Sequence, residues 1–439
     1  MALEVGLAKA MARAGLDAPV NLSRLTGGAT MESWRFSAAG EDFVLRRAPS
    51  LAFMEERPFG HPTEAAIIRA ARAAGVTAPE VVVELQKSDG IGSGFVMRAL
   101  PGTPDPRTIL ASTSPAQLVQ QAAADLACIH AIDPADLPAD VPTLDYREGV
   151  EKLREQFEEA GGDRPIIALG LRWLLDNLPE PVEPVLNHGD FRLGNLLVED
   201  SQLTGVLDWE LAHFGDWHED LAFGCMPVWR FGAYDMPALG LGLLEEYLTA
   251  YEAAGGRPVD PVRFRFWTIY RIVWWALGCL KMASYWRKGE DRMLERVVIS
   301  RRTSEQECDL MLFLDEADSL FGKRTEIRDA TDRHGEADVA EIAEAISEWL
   351  ATVKHRMEGH DKFQLAVARN ALGIIARDHR SDRGGADREL AQAILSGRQP
   401  IDDPLLGARL RRAAMAKLET DSPKYPSLAV ARRKWLGDD

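Results

Sequence analysis

The feature that most constrains this chain is a polar segment, NHGDFRLGNL at 187–196, followed closely by GVLDWE at 205–210. Asp190, Asn195 and Asp208 carry oxygen-bearing side chains spaced five and then thirteen residues apart. The apolar run LLV after Asn195 and the run GVL before Asp208 read as two short strands, with a turn at Glu199–Gln202 between them. Such a hairpin brings Asn195 and Asp208 together at one end. Hard oxygen ligands gathered in this way suit Mg²⁺, which takes a few carboxylate or amide oxygens and completes its shell with water and phosphate. Asp190, just upstream on the loop, is placed to orient an attacking hydroxyl. The layout implies phosphoryl transfer. Against it stands the plainer reading that Asp, Asn and Gly collect in turns for local hydrogen-bonding reasons.

The segment HGDFRLGN resembles the catalytic loop H-G-D-x-x-x-x-N of the aminoglycoside phosphotransferase family, and DWE stands where protein kinases carry D-F-G. Downstream, HFGDWHEDLAFGC at 213–225 is similar to the G-D-P-x-x-D-L-A/G segment of that family, with Trp217 where Pro is usual. The resemblance implies an α+β chain with a bilobal protein-kinase-like fold, a small β-rich N-lobe and a helical C-lobe. It implies ATP or GTP as phosphoryl donor with Mg²⁺. Asp190 would deprotonate the acceptor, His188 would brace the loop, and Asn195 and Asp208 would hold the metal.

The N-terminal part supplies what such a site needs. Leu25–Pro49 reads as strand, Gly-containing turn, strand, turn at Ala39–Asp42 and strand. Gly27 and Gly28 would let backbone N–H groups approach nucleotide phosphates, although a tight hairpin with no ligand explains them equally well. In the family the next strand carries a phosphate-binding lysine. Here it is arginine, Arg46 by alternation or Arg47 by a one-residue slip, and a planar fork replaces a compact charge. A helix follows over TEAAIIRAARAAG, with Thr63 as N-cap and Gly75 as stop. Glu64 on it is the expected partner of Arg46. GFVMRALPGTP resembles the strand and hinge between lobes, so the backbone from Met97 to Leu100 is expected to meet adenine.

Composition narrows the partners. A net charge of −17 and a pI of about 5.1 argue against nucleic acid or an anionic membrane, leaving a small-molecule substrate and a homodimer as the assembly to test. No uninterrupted apolar run reaches membrane-spanning length. Cys128, Cys225, Cys279 and Cys308 show no metal or disulfide spacing, which points to a reducing cytoplasm. His130 reads as a structural histidine. Glu219, Asp235, Glu245 and Glu246 would contact a cationic substrate or form a solvated face.

The expected organisation is an N-lobe over 1–100, a C-lobe over 101–310, a charged linker over 311–337 and an all-α domain over 338–439. The last contains apolar residues at helical spacing, with a third helix over Pro404–Glu419. LFLDEADSLFGKR within the linker resembles a Walker B strand. The chain has no G-x-x-x-x-G-K-[ST] to accompany it, and no ATPase function is expected there.

The acceptor is open at this level. The family name suggests aminoglycosides. LRRAP, DWE and the C-terminal helices resemble instead the kinase-like domains fused to acyl-CoA dehydrogenases, for which a hydroxyacyl thioester is the implied acceptor. Tryptophans and arginines of the C-terminal half, Arg271, Arg287 and Arg301, would suit an anionic, partly apolar ligand. A different class is a nucleotide-binding pseudokinase, against which the intact trio Asp190, Asn195 and Asp208 counts.

Overall fold

The structure is a computed structural model that describes residues 2–25, 31–48, 57–111, 114–315, 337–381 and 387–437. The chain divides into two compact units, one of Met1–Asp145 with Glu180–Thr268 and one of Tyr146–Pro179 with Ile269–Asp439.

The first unit opens with a five-stranded antiparallel sheet of order β1-β2-β3-β5-β4: β1 Val20–Arg24, β2 Glu32–Ala38, β3 Glu41–Ala48, β4 Val81–Glu84 and β5 Ser93–Arg98. Ala39 and Gly40, both at positive φ, make the two-residue turn between β2 and β3, a geometry that matches the twist of the flanking strands. Alternation along β3 buries Phe43 and Leu45, which meet Phe36, Val96 and Ile91 under the amphipathic helix Ala2–Arg13. Leu7 and Met11 of that helix are fully buried in the same cluster.

The helix after β3 runs His61–Ala73 and is capped by Gly60, not by the expected Thr63. The physical reason is Pro62, whose missing N–H and fixed φ are tolerated in a first helical turn and let the helix begin earlier. Thr63 is buried and donates to Asp140 at 2.7 Å.

Most of the remaining unit is helical, with the buried helix Pro115–His130 at its centre. Four short strands complete it: β6 Val185–Asn187 pairs with β9 His213–Gly215, and β7 Leu196–Glu199 pairs with β8 Gln202–Val206. Asp200 and Ser201, at positive φ, turn the β7–β8 hairpin where the sequence predicts it.

The second unit is all helix among its described residues. Thr303–Leu314 packs against Pro165–Asp176, Pro404–Asp421 and Pro426–Leu436, and Val339–Val353 pairs with Gly359–Arg380. Leu312–Leu314, the start of the Walker-B-like run, is the last turn of a helix and not a strand. Asp315 accepts from Arg411 and the Trp435 indole, at 2.7 and 2.8 Å, and the rest of that run lies almost wholly outside the described residues. Among the described residues no helix is long and apolar enough to cross a membrane.

Candidate active site

The β7–β8 hairpin brings the predicted residues together. Leu196 pairs with Val206, and the Leu207 N–H donates to the Asn195 carbonyl at 2.8 Å, so Asn195 and Asp208 sit at the same end of the ladder. The Asn195 amide reaches back to Asp190, donating to its carbonyl at 2.9 Å and to its carboxylate at 2.6 Å. Arg192 holds the same carboxylate through Nε at 2.8 Å and Nη2 at 3.2 Å, with its guanidinium 4.3 Å from the centre of the Trp229 ring. Burial pushes the Asp190 carboxyl up to about 6, with Arg192 opposing and the nearby charge of Asp208 reinforcing the shift.

The loop beneath Asp190 is fastened from behind. Asp220, fully buried on the helix Trp217–Phe223, accepts the His188 N–H at 2.6 Å and the Gly189 N–H at 2.8 Å. Its oxygen also faces the His130 ring at 3.4 Å. These donors overcome the burial penalty and hold its carboxyl down at about 2. The His188 imidazole accepts the Asp190 N–H at Nδ1, which leaves the proton on Nε2 to donate to the Leu207 carbonyl at 3.1 Å. Burial lowers its pKa, and Trp209 covers it at 4.6 Å between ring centres. A neutral ring tied at both nitrogens supports the loop and is not arranged to take a proton. Gly189 has φ +81, and a Cβ there would lie 2.3 Å from the Leu211 carbonyl oxygen, so the close turn excludes any side chain.

Of the two arginines on β3, Arg46 faces this site and Arg47 turns to Glu32 and the Ile91 carbonyl. Arg46 donates to Asp208 at 2.7 Å and to Glu210 at 2.5 Å. Its Nε lies 3.0 Å from Glu64, a close ion contact whose angle falls outside hydrogen-bond geometry. Glu64 is buried and pushed up to about 7 by that burial, against the opposing charge of Arg46. Arg57 also donates to Glu210. Asp208 itself has φ +69, an uncommon conformation for a residue with a side chain and one that clusters at functional sites.

Residues 21–266 match the family described as "Phosphotransferase enzyme family". The chain belongs to it. Residues 355–425 match a domain of unknown function, DUF6285. Among curated proteins, this phosphotransferase-family chain is 30% identical over 254 residues to mouse acyl-CoA dehydrogenase family member 10, covering 53% of the chain and 24% of that protein. It is 25% identical over 269 residues to rat acyl-CoA dehydrogenase family member 11, covering 56% of the chain and 33% of that protein. The chain thus matches about a quarter to a third of the length of these relatives. Among solved structures, an inferred aminoglycoside phosphotransferase from Ralstonia eutropha superposes with TM-score 0.58 at 20% identity, over 71% of this chain and 97% of that one. That likeness supports the protein-kinase-like fold.

The family implies a metal and a nucleotide, and the donor atoms fit both. Asp208 is one-third exposed, and only its Oδ1 is engaged by Arg46. Asn195 uses its amide nitrogen on Asp190, which leaves its carbonyl oxygen as the atom a hard cation would take. Met97 lies on β5 opposite Val44, and Leu100 follows that strand. The Arg98 and Ala99 amides are already bonded to the Glu80 and Asp42 carbonyls, whereas Leu100 makes no backbone hydrogen bond among the described residues. Gly27 and Gly28 lie outside the described residues.

Several contacts were not legible beforehand. Asp220 stands within the quoted 213–225 motif, and its place as the second Asp of that pattern was the available signal. Arg192, Glu210 and Arg57 carried none. Glu219 is a correction: it is buried and bonded to His213 at 3.0 Å, because it falls on the inner face of its helix, and it meets no substrate face. Arg301 is a second, held by Asp378 and Asp421 instead of waiting for an anionic ligand. Arg271 is buried with its guanidinium 5.0 Å from the Trp274 ring centre. His130 is structural as expected, its Nδ1 2.7 Å from the Tyr251 hydroxyl.

Proposed function

We propose that this protein transfers the γ-phosphoryl group of ATP or GTP to a hydroxyl of a small molecule. The observation that carries the reading is Asp190: a carboxyl with a pKa of about 6, held by Asn195 and Arg192 on a loop tied down by Asp220. A base of that strength is mostly ionised at neutral pH and can accept the acceptor's proton late in a loose transition state. His188 braces the loop. Arg46 steadies the nucleotide phosphates, with Glu64 fixing its direction. The backbone of Met97–Leu100 receives the base, and Gly27 and Gly28 are assigned to the phosphates on the sequence alone. Asn195 and Asp208 would hold Mg²⁺, which when bound neutralises charge on the phosphates.

Two acceptor classes are in view, an aminoglycoside-like polyol and a hydroxyacyl-CoA-like thioester. The relatives carrying the name acyl-CoA dehydrogenase support the second. Acidic side chains in the first unit that could have favoured a polycation are partly accounted for, since Glu219 is internal. Unpaired cysteines at all four positions support work in a reducing, cytoplasmic setting.

The test is nucleotide turnover by the purified chain with ATP or GTP and Mg²⁺, across aminoglycosides, amino sugars and hydroxyacyl-CoA esters. Asp190→Ala serves as the blank. Stimulation by hydroxyacyl-CoA esters that is absent in the variant supports the full reading. Stimulation by an aminoglycoside alone replaces the acceptor, and turnover undiminished in the variant overturns the role of Asp190.

A further inference from the structure

The helix Val339–Val353 is built inside out. The face it buries against Gly359–Arg380 consists of small residues, Ala340 and Ala343 meeting Ala376 and Leu372. Four of its large apolar residues point to solvent: Val339 is 53% exposed, Ile342 51%, Ile346 44% and Trp349 62%. A soluble helix normally shows the reverse, since burying such side chains stabilises by roughly 1.5–3 kcal/mol each. The four positions are separated by three, four and three residues, the a/d repeat of a helix–helix seam. Beside the seam stand Ala345 and Thr352, short enough to let another helix approach closely.

We propose that this seam docks a second copy of the same helix, antiparallel, to form a homodimer through the second unit. Charge selects both the partner and the direction. Asp338 and Glu341 lie at the start of the helix, and Lys354, His355 and Arg356 follow its end. Reversing one copy about a two-fold axis near Ile346 sets the acidic end of each helix against the basic end of the other. It also pairs Ile342 with the region of Trp349. A parallel pair would set like charges side by side at both ends, at a cost that opposes assembly. The surface is therefore complementary to its own reversed copy, as an isologous interface must be. The helix, 15 residues long, spans about 22 Å, so the interface is modest and the dimer should exchange with monomer in the micromolar range.

Sedimentation velocity of the full chain over a range of concentrations tests this. The expected result is a concentration-dependent dimer that Ile346→Glu weakens at least tenfold while circular dichroism and thermal unfolding stay unchanged, because the position is exposed. Orientation is read separately with single cysteines under mild oxidation: Ile346→Cys should cross-link between copies and Val339→Cys should not. A chain monomeric at all concentrations overturns the proposal, as does a dimer indifferent to Ile346→Glu. Cross-linking through both cysteines overturns the antiparallel arrangement.

Discussion

Asp220 binds His188 through the backbone, accepting its N–H at 2.6 Å and that of Gly189 at 2.8 Å with its other oxygen. The carboxylate is thirty residues downstream of the catalytic candidate Asp190 and touches no predicted substrate atom. It acts on chemistry only by fixing where the loop stands.

The first prediction concerns that support. In Asp220→Asn, the amide can accept from only one of the two N–H groups and turns its own NH₂ toward the other. A buried mismatch of this kind costs about 3 kcal/mol. Chemical denaturation should show the loss, and kcat should fall with KM for nucleotide little changed. The sign with pH follows from the lowered carboxyl, about 2 against an ordinary 3.8. Stability contributed by wild-type Asp220 is present above pH 4 and lost as pH falls toward 2, so the gap between the two proteins should narrow in acid. Equal stability at pH 7 would count against the brace.

Gly189→Ala is expected to be as damaging as a much larger change elsewhere. The new methyl would meet the Leu211 carbonyl oxygen at 2.3 Å in a backbone conformation that disfavours it. A destabilisation of about 2 kcal/mol or more, with turnover reduced over tenfold, is the expected outcome. Thermal unfolding and single-turnover kinetics check it, and a fully active, fully stable variant would show that the loop relaxes freely.

Asp190→Ala and Asp208→Ala should separate chemistry from binding. The first should abolish transfer while nucleotide affinity, measured by calorimetry with Mg²⁺, stays within a few-fold of wild type. The second should weaken Mg-nucleotide binding by at least tenfold. Near-normal turnover in either variant contradicts the roles assigned.

Asp190 also predicts two pH profiles. With a folded-state pKa of about 6, kcat should decline below pH 6 as the carboxylate is protonated. Stability runs the other way. A carboxyl raised from 3.8 makes the folded protein hold its proton more tightly, so the stability conferred by protonation is full below pH 4 and is lost as pH rises through 6. Asp190→Asn, which does not titrate, should therefore gain on wild type by about 2 kcal/mol between pH 4 and pH 8. Urea denaturation at the two pH values measures the difference; no change would place the Asp190 carboxyl in an ordinary environment.

Local features of the fold were legible because local rules decide them. The β7–β8 hairpin follows from alternating apolar residues around a turn, and the resemblance over Asn187–Leu196 correctly named the family. The helix N-cap was misplaced because Ser and Thr attract that reading while Pro62, one position earlier, decides it. Contacts across long stretches of chain were not legible: Arg46 reaches Asp208 and Glu210 over 162 and 164 residues, and no local pattern encodes such pairings. The inward turn of Glu219 was hidden for a related reason, since a charged residue on a helix reads as solvated until its His213 partner is seen.

Arg46 touches three carboxylates, those of Glu64, Asp208 and Glu210. At rest the protein thus carries a tethered counter-ion in the place proposed for a nucleotide and its cation. Three acidic groups that would repel one another, and repel a polyphosphate more strongly, have their charge partly offset in advance by Arg46 and by Arg57 on Glu210. The cost of entry becomes an exchange of partners and not the creation of a charged cavity. Affinity for nucleotide should then depend as much on how readily Arg46 releases Asp208 as on what it grips afterwards, and Glu210, which shares the same Arg46 nitrogen, competes with Asp208 for that hold.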